Sequence, residues 1–431
     1  MATLEGQRGF RTLLCAILLL LFLQPMIGGR HLNPVVTSLV GACVLASALW
    51  RLNSGSSAFW VALGLMVSAI VGGYVVSEAG VGGSPFHAPF YVFIAWNVLT
   101  RVLNAEEVSE DTVLGSACAY LLLGLAFASA YNAIVFFVPG AVAGLDLESH
   151  VSTFSQLAYF SLVTLTTLGY GDLSPVHPLC QSLVVVESVV GVLFPALVVA
   201  RIIGLYVSPD GGPLTEPEPD HNREWLISRV LFVFLPLVVL LLPWLERGTP
   251  GRMVVGLALA ATVIVGVYFV SGNPRTLVAG FALAIGSSAM RMLGGGFVPA
   301  SIILAFILVA LVVGRMSVWC LVQRRVTTSV LLTSVCLYWL IGIGFAGLYQ
   351  LVENLEPGAI GAAGGDAMGP MLYFSFMTLT TTGYGDLLPG APLSRALANV
   401  EAFVGVFYTS IVIAKLVSLY GSQISVERPA N

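Results

Sequence analysis

Two short segments of the chain contain threonine, glycine and tyrosine in nearly the same order. They read TLTTLGYGD at residues 164–172 and TLTTTGYGD at residues 378–386. Glycines let consecutive carbonyl oxygens point the same way, and such a row can replace the hydration shell of an ion about the size of potassium. We therefore predict that two motif segments, residues 167–171 and 381–385, bind a cation of about this size. Their members are Thr167, Leu168, Gly169, Tyr170, Gly171, Thr381, Thr382, Gly383, Tyr384 and Gly385.

The composition of the chain indicates where these segments lie. Of the 431 residues, 57% are hydrophobic and 9% are charged, and the mean hydropathy is +0.94. Soluble domains carry about 25% charged residues, so a soluble fold could not keep a polar exterior with this composition. The chain is predicted to be an integral membrane protein surrounded by lipid, with no nucleic acid as a partner.

Apolar runs of about the length that crosses a bilayer recur along the whole chain. They predict an all-α membrane protein with twelve transmembrane helices. The run at 85–103 is the weakest, because His87, Pro89, Asn97 and Arg101 interrupt it. The predicted spans are 10–28, 34–50, 57–76, 85–103, 113–138, 177–206, 226–244, 252–270, 275–292, 297–319, 327–352 and 391–420.

The two halves of the chain repeat each other. Residues match at an offset of 218 through the fifth span, as Tyr120 matches Tyr338. They match at an offset of 214 from the motif segments onward, as Glu187 matches Glu401. The repetition predicts a tandem duplication of one six-span unit. Because six is even, both copies enter the membrane in the same direction.

The basic residues predict the orientation of the chain. Most of the eighteen Lys and Arg residues fall on the same side as the N-terminus, and basic residues accumulate on the cytoplasmic side of a membrane. The N-terminus, the polar linker at 207–225 and the C-terminus are therefore predicted to be cytoplasmic. Short loops and the scarcity of lysine favour a bacterial inner membrane.

A short apolar stretch precedes each motif segment, at 154–166 and at 368–380. Neither stretch is long enough to cross a bilayer as a helix. Each is predicted to enter the membrane and turn back as a re-entrant helix. Irregular backbone at that depth is tolerated only where protein surrounds it or where it lines a watery path.

The motif segments resemble the selectivity filter of the potassium channel superfamily. The resemblance implies an outer helix, a pore helix, a filter and an inner helix in each repeat, over 113–206 and 327–420. Gly191 and Gly405 lie where that family has its inner-helix hinge, twenty residues after the last filter glycine. The sequence departs from the family at Leu168 and Thr382, which replace the usual valine, so the two repeats are not equivalent.

The repeat pattern and the resemblance together predict six domains. The two pore domains at 113–206 and 327–420 each follow a four-helix membrane domain, at 1–112 and 226–326. The linker at 207–225 and a tail at 421–431 complete the chain. A filter of this kind needs four strands, and one chain supplies two. The resemblance therefore implies a homodimer with one pore, as in tandem two-pore potassium channels.

Four acidic residues belong to the candidate site. Asp172 and Asp386 follow the last filter glycine and are expected to enrich cations at the outer mouth. Glu187 and Glu401 lie deep in predicted spans, where a carboxyl is costly and usually functional. We expect them to support the filter through pore-helix threonines such as Thr164 and Thr378. They either couple conduction to pH or only brace the filter.

The sequence favours a potassium-selective channel over two alternatives. One alternative is a cation channel of relaxed selectivity, because Leu168 and Thr382 differ. The other is a secondary potassium transporter, against which the two intact Gly-Tyr-Gly copies argue. No nucleophile–base pair, Walker loop or zinc motif indicates an enzyme, and potassium is expected only as the permeant ion, without a cofactor. The fourth spans carry only Arg101 and Arg315, so weak voltage dependence is predicted.

Overall fold

A computed structural model describes most of both repeats. The described stretches are 9–26, 87–103, 110–146, 153–207, 222–245, 297–323, 328–361 and 368–427, with single positions in 60–68 and 282–290. The predicted spans at 34–50 and 252–270 lie outside the described residues, and those at 57–76 and 275–292 lie mostly outside them.

The described residues form helices joined by short loops. The elements, in chain order, are α1 (Gly9–Met26), α2 (His87–Leu103), α3 (Glu110–Phe137), β1 (Val142–Ala143), α4 (Thr153–Leu165), β2 (Ser174–Pro175), α5 (Pro178–Val207), α6 (Asn222–Leu245), α7 (Phe297–Val322), α8 (Thr328–Leu355), α9 (Met368–Leu379) and α10 (Pro392–Glu427).

Five of the described helices are long and apolar enough to cross a membrane. A helix rises about 1.5 Å per residue, so about 20 residues cover the apolar core of a bilayer. These stretches lie in α3, α5, α7, α8 and α10, at Asp111–Phe137, Pro178–Val198, Phe297–Cys320, Thr328–Leu355 and Pro392–Lys415. The chain is therefore a mostly helical protein with membrane-spanning character.

The chain divides into two compact units. The first contains α1 to α4 and the loop at Asp172–Cys180. The second contains the motif segment Thr167–Gly171, α5 from Gln181 onward, and α6 to α10.

In the first unit, the helix α3 lies at the centre and packs against α1, α2 and α4. In lipid, helices gain little from the hydrophobic effect and associate through close packing of small residues. Gly115 of α3 is such a residue, because a Cβ built on it would lie 2.9 Å from Val102 of α2 and 3.0 Å from Phe10 of α1. Glycine thus lets the three helices approach.

In the second unit, α8 takes the same central place and packs against α6, α7, α9 and α10. One contact recurs at matching positions. The Cys118 thiol lies 3.6 Å from the carbonyl oxygen of Phe10, and the Cys336 thiol lies 3.8 Å from that of Ser228. Both pairs are 108 residues apart, so the two units share an internal arrangement as well as a sequence pattern.

Candidate functional site

The short helices α4 and α9 bring the chain to the two motif segments. They have 13 and 12 residues and end at Leu165 and Leu379, close to the predicted limits. A tyrosine of the central helix bonds to the last carbonyl of each. The Tyr120 hydroxyl donates to the Leu165 carbonyl at 2.7 Å, and the Tyr338 hydroxyl donates to the Leu379 carbonyl at 3.1 Å. This bond satisfies a carbonyl that a helix end leaves unpaired.

A serine and a glycine set the distance between each short helix and its central helix. The Ser161 hydroxyl donates to the Gly124 carbonyl at 2.7 Å, and Ser375 donates to the Gly342 carbonyl at 2.8 Å. A Cβ built on Gly342 would lie 2.5 Å from the Phe376 ring. The glycine is therefore required for the close approach.

The backbone of both motif segments has a left-handed conformation at every second residue. In the first segment φ is 56° at Thr167, 53° at Gly169 and 78° at Gly171. The second segment repeats these values, with 58° at Thr381, 54° at Gly383 and 79° at Gly385. Alternating handedness turns successive peptide groups to one side, as a row of carbonyl ligands requires.

The two threonines at these positions adopt a strained backbone. Thr167 and Thr381 are the positive-φ residues other than glycine in the part of the chain that the structure describes. A β-branched residue in this region is uncommon and costs about 1–2 kcal/mol. Such strain clusters at functional sites. Its recurrence at both positions points to the motif segments as the functional part of the molecule.

The first motif segment lies directly against the second. A Cβ built on Gly169 would lie 1.8 Å from the Thr382 carbonyl oxygen, and one on Gly171 would lie 2.2 Å from the Tyr384 carbonyl oxygen. No side chain fits at either position, so glycine is required. A Cβ on Gly383 or Gly385 meets nothing within 4 Å among the described residues. The contact between the segments is one-sided.

The side chains of the two motif segments have different surroundings. Tyr384 is 6% exposed and Thr382 is 2% exposed, whereas Tyr170 is 66% exposed and Leu168 is 53% exposed. The second segment is therefore packed by its own chain. In the first segment, the matching side chains are open to the surroundings.

A pair of hydroxyl groups anchors Thr382 to the preceding helix. The Thr380 hydroxyl donates to the Phe376 carbonyl at 2.6 Å and lies 2.8 Å from the Thr382 hydroxyl. Because Thr380 has a single hydroxyl proton, Thr382 is the donor in this pair. In the first repeat, Thr166 donates to the Leu162 carbonyl at 2.7 Å, and Leu168 has no hydroxyl with which to continue the chain.

The aspartates that follow the motif segments bond to tyrosines of the short helices. The Tyr159 hydroxyl donates to Asp172 Oδ2 at 2.9 Å, and the Tyr373 hydroxyl donates to Asp386 Oδ2 at 2.8 Å. Sequence reasoning missed these tyrosines as site residues. The signal was the triplet YFS, which begins at residues 159 and 373.

The loops around the motif segments are also held. In the first unit, β1 and β2 pair antiparallel, with Val142 opposite Pro175. In the second unit, a single bridge joins Ile360 to Pro389, and both carboxylate oxygens of Glu353 accept backbone N–H bonds, at 2.8 Å and 2.9 Å. These contacts fix the backbone on both sides of each motif segment.

Both predicted support carboxyls are fully buried, each with 0% exposure. Glu401 contacts Ser375 of α9 at 2.5 Å and Tyr349 of α8 at 2.7 Å. The prediction that Glu401 bonds to Thr378 is wrong. The Thr378 hydroxyl donates to the Phe374 carbonyl of its own helix at 2.9 Å. Ser375, three residues earlier, is the residue of α9 that meets Glu401.

The two predicted hinge glycines lie within the helices that follow the motif segments. A Cβ built on Gly405 of α10 would lie 2.0 Å from the Leu379 carbonyl oxygen, so α10 passes directly against the end of α9. This close approach is sufficient reason for glycine at that position. Gly191 lies in α5, four residues before Pro195.

The chain matches known proteins in the same two places. A family described as ion channel matches residues 117–208 and 325–421. One curated relative is the inward rectifier potassium channel Kirbac3.1 of Paramagnetospirillum magnetotacticum. It is 33% identical over 95 residues, which cover 22% of this chain and 30% of the relative. No solved structure matches the chain.

Proposed function

We propose that the protein is a potassium-selective channel, because residues 117–208 and 325–421 match an ion channel family and 95 residues are 33% identical to a potassium channel. The observation that carries the proposal is the repeated left-handed backbone at 167, 169 and 171 and at 381, 383 and 385. In this conformation, carbonyl oxygens from Thr167 to Gly171 and from Thr381 to Gly385 line one path. They replace the water around potassium as it crosses passively.

The pore is formed by two chains. A ring of four segments needs each segment to contact the next in the same sense. Within one chain, Gly169 and Gly171 contact the carbonyls of Thr382 and Tyr384. The open side of Gly383 and Gly385 offers the same contact to the first segment of a second chain. Two chains related by a two-fold axis then close the ring.

The lengths of α4 and α9 support a re-entrant placement in the membrane. α4 and α9 have 13 and 12 residues, about 20 Å and 18 Å, and the apolar core of a bilayer is about 30 Å thick. They are re-entrant helices within a twelve-span chain, with lipid around it and both termini in the cytoplasm. Asp172 and Asp386 ring the outer mouth.

The first experiment measures selectivity in bilayers that contain the purified full chain. With potassium on one side and sodium on the other, the reversal potential is expected near the potassium limit. A reversal potential near zero with sustained current would overturn selectivity and favour a non-selective monovalent cation channel. The observation behind that alternative is the difference between Leu168, 53% exposed, and Thr382, 2% exposed.

A second experiment counts the chains in the conducting particle. The mass of the detergent-solubilised protein, corrected for bound detergent, is expected to equal two chains of 45.4 kDa. Chemical cross-linking in membranes checks that the dimer exists before extraction. A monomer that conducts after reconstitution would exclude the two-chain pore.

A further inference from the structure

The buried carboxyl of Glu401 connects three helices of the second repeat. It lies on α10, accepts a bond from Tyr349 of α8 at 2.7 Å, and contacts Ser375 of α9 at 2.5 Å. Ser375 also contacts the Gly342 carbonyl oxygen of α8 at 2.8 Å. All three side chains are fully buried. The number of protons in this cluster can therefore be counted against its acceptors.

The serine hydroxyl is the decisive member. It has one proton, and it lies within hydrogen-bond distance of two oxygens, Gly342 O and Glu401 Oε1. A backbone carbonyl can only accept, so the contact at 2.8 Å requires the serine proton. The first repeat has the same bond, from Ser161 to the Gly124 carbonyl at 2.7 Å. The contact between Ser375 and Glu401 then needs a proton from elsewhere.

We propose that Glu401 is protonated and donates this hydrogen bond to Ser375. The chain of bonds is then complete: Glu401 Oε1 donates to Ser375, and Ser375 donates to Gly342 O. Tyr349 donates to the other carboxyl oxygen, Oε2. Each of these bonds has one proton and one acceptor.

An ionised carboxylate would leave one contact in the same cluster without a hydrogen-bond proton. A carboxylate only accepts, so the serine proton would turn to Oε1, and two oxygen atoms 2.8 Å apart would face each other without a proton. A buried charge would also lack a cation among its contacts to Ser375 and Tyr349. The neutral acid avoids both costs.

The neutral carboxyl acts as a positioning group. It joins the helix after the motif segment to the helix before it, and Ser375 and the motif segment are on the same stretch of chain. The proton count stands without any assumption about conduction, whereas the positioning of a conducting filter rests on the proposed function. The two parts therefore need separate readouts.

Infrared difference spectroscopy on the purified full chain tests the protonation without any measurement of conduction. The spectrum of Glu401→Gln is subtracted from that of the parent at neutral pH. We expect a C=O stretching band of a protonated carboxylic acid that is absent in the variant. A difference that contains only carboxylate bands would overturn the proposal. Glu356→Gln, at an exposed loop position, serves as control and should leave the acid band in place.

Rescue by the matched amide separates this role from simple packing. Glutamine can donate from its NH2 to Ser375 and accept from Tyr349, as the protonated acid does, whereas leucine can do neither. Glu401→Leu is expected to lower the folded-to-unfolded ratio in detergent by at least about tenfold, because buried partners stay unpaired. Glu401→Gln should stay within about threefold of the parent. An equal loss in both variants would show that a charge is needed.

Discussion

The two repeats share one scaffold but hold their motif segments differently. In both, a tyrosine closes the end of the short helix, a serine bonds to a glycine of the central helix, and a second tyrosine bonds to an aspartate. Within the segments, Thr382 is buried and bonded, whereas Leu168 is half exposed. The backbone is thus fixed by the shared scaffold, and the side chain at one position distinguishes the repeats.

The exposure of the tyrosines extends the same contrast. Tyr384 is covered by its own chain, while Tyr170 is 66% exposed. In the proposed ring of four segments, a second chain would cover the first segment and remove this difference. The comparison between repeats therefore also bears on the assembly, and variants in matching positions can test it.

The largest effect is expected from glycine substitutions in the motif segments. Gly169→Ala would place a methyl group 1.8 Å from the Thr382 carbonyl oxygen and should abolish potassium flux into vesicles. Gly383→Ala should do the same if a second chain occupies its open side. Gly314→Ala is the control, because a Cβ there meets nothing within 4 Å among the described residues. Normal flux in Gly383→Ala would show that no second chain lies against that side of Gly383.

A smaller effect is expected from the outer tyrosines. Tyr373→Phe removes a hydrogen bond to a carboxylate, which contributes about 1.5–3 kcal/mol, and should lower the unfolding free energy of the protein in detergent by about this amount. Tyr159 is 40% exposed in the single chain, whereas Tyr373 is 1% exposed. In a dimer, the loss of unfolding free energy caused by Tyr159→Phe should equal the loss caused by Tyr373→Phe. In a monomer, the loss caused by Tyr159→Phe should be the smaller one. Unfolding at high and low protein concentration distinguishes these outcomes.

Substitutions at Leu168 and Thr382, the positions where the potassium channel superfamily has valine, should have unequal effects on stability. Thr382→Val keeps the shape but removes the bond to Thr380, which should cost about 1 kcal/mol of unfolding free energy. Leu168→Val removes no hydrogen bond and only shortens a side chain that is half exposed in the single chain, so it should change the unfolding free energy by less than Thr382→Val does. Thermal unfolding measures both, and the reversal potential of each variant shows which residue affects selectivity. Equal effects would mean that the hydroxyl pair does not anchor the segment.

The smallest effect is expected from the arginines in the helices that precede α3 and α8. Arg101 lies in the last turn of α2, and Arg315 lies in α7. A charge that crosses the membrane field contributes about 2.3 kcal/mol per 100 mV, and steep gating needs several of them. Arg101→Gln and Arg315→Gln should leave a shallow conductance–voltage curve unchanged. A steep curve in the parent that either change flattens would contradict weak voltage dependence.

The local pattern around the motif segments was predictable from the sequence. The short helices were expected at 154–166 and 368–380, and they occupy Thr153–Leu165 and Met368–Leu379. Apolar runs that end in glycine and tyrosine give clear limits, because glycine permits the left-handed backbone that a helix cannot continue. The weakest predicted span, at 85–103, also forms a helix, His87–Leu103, because its apolar residues outweigh its polar ones.

The partners of the buried groups were not predictable in the same way. Thr378 and Ser375 are both hydroxyl residues of α9 and lie on the same face about one turn apart, so a shift of one turn along the helix decides which one meets Glu401. The burial of Thr382 and the exposure of Leu168 could not be predicted from the sequence either, because the sequence around both residues is nearly identical. These outcomes depend on which neighbouring helix covers each residue, and a repeat pattern carries no such information.

The one-sided contact of Gly169 with the Thr382 carbonyl also bears on how such a protein can diverge. In a ring of four identical chains, every substitution appears four times and must be tolerated at all positions together. In the proposed ring of two chains, residues 168 and 382 are encoded separately, so a substitution at residue 168 would appear on two opposite strands and leave residue 382 unchanged. Single substitutions would therefore alter one diagonal of the proposed ring and leave the other intact.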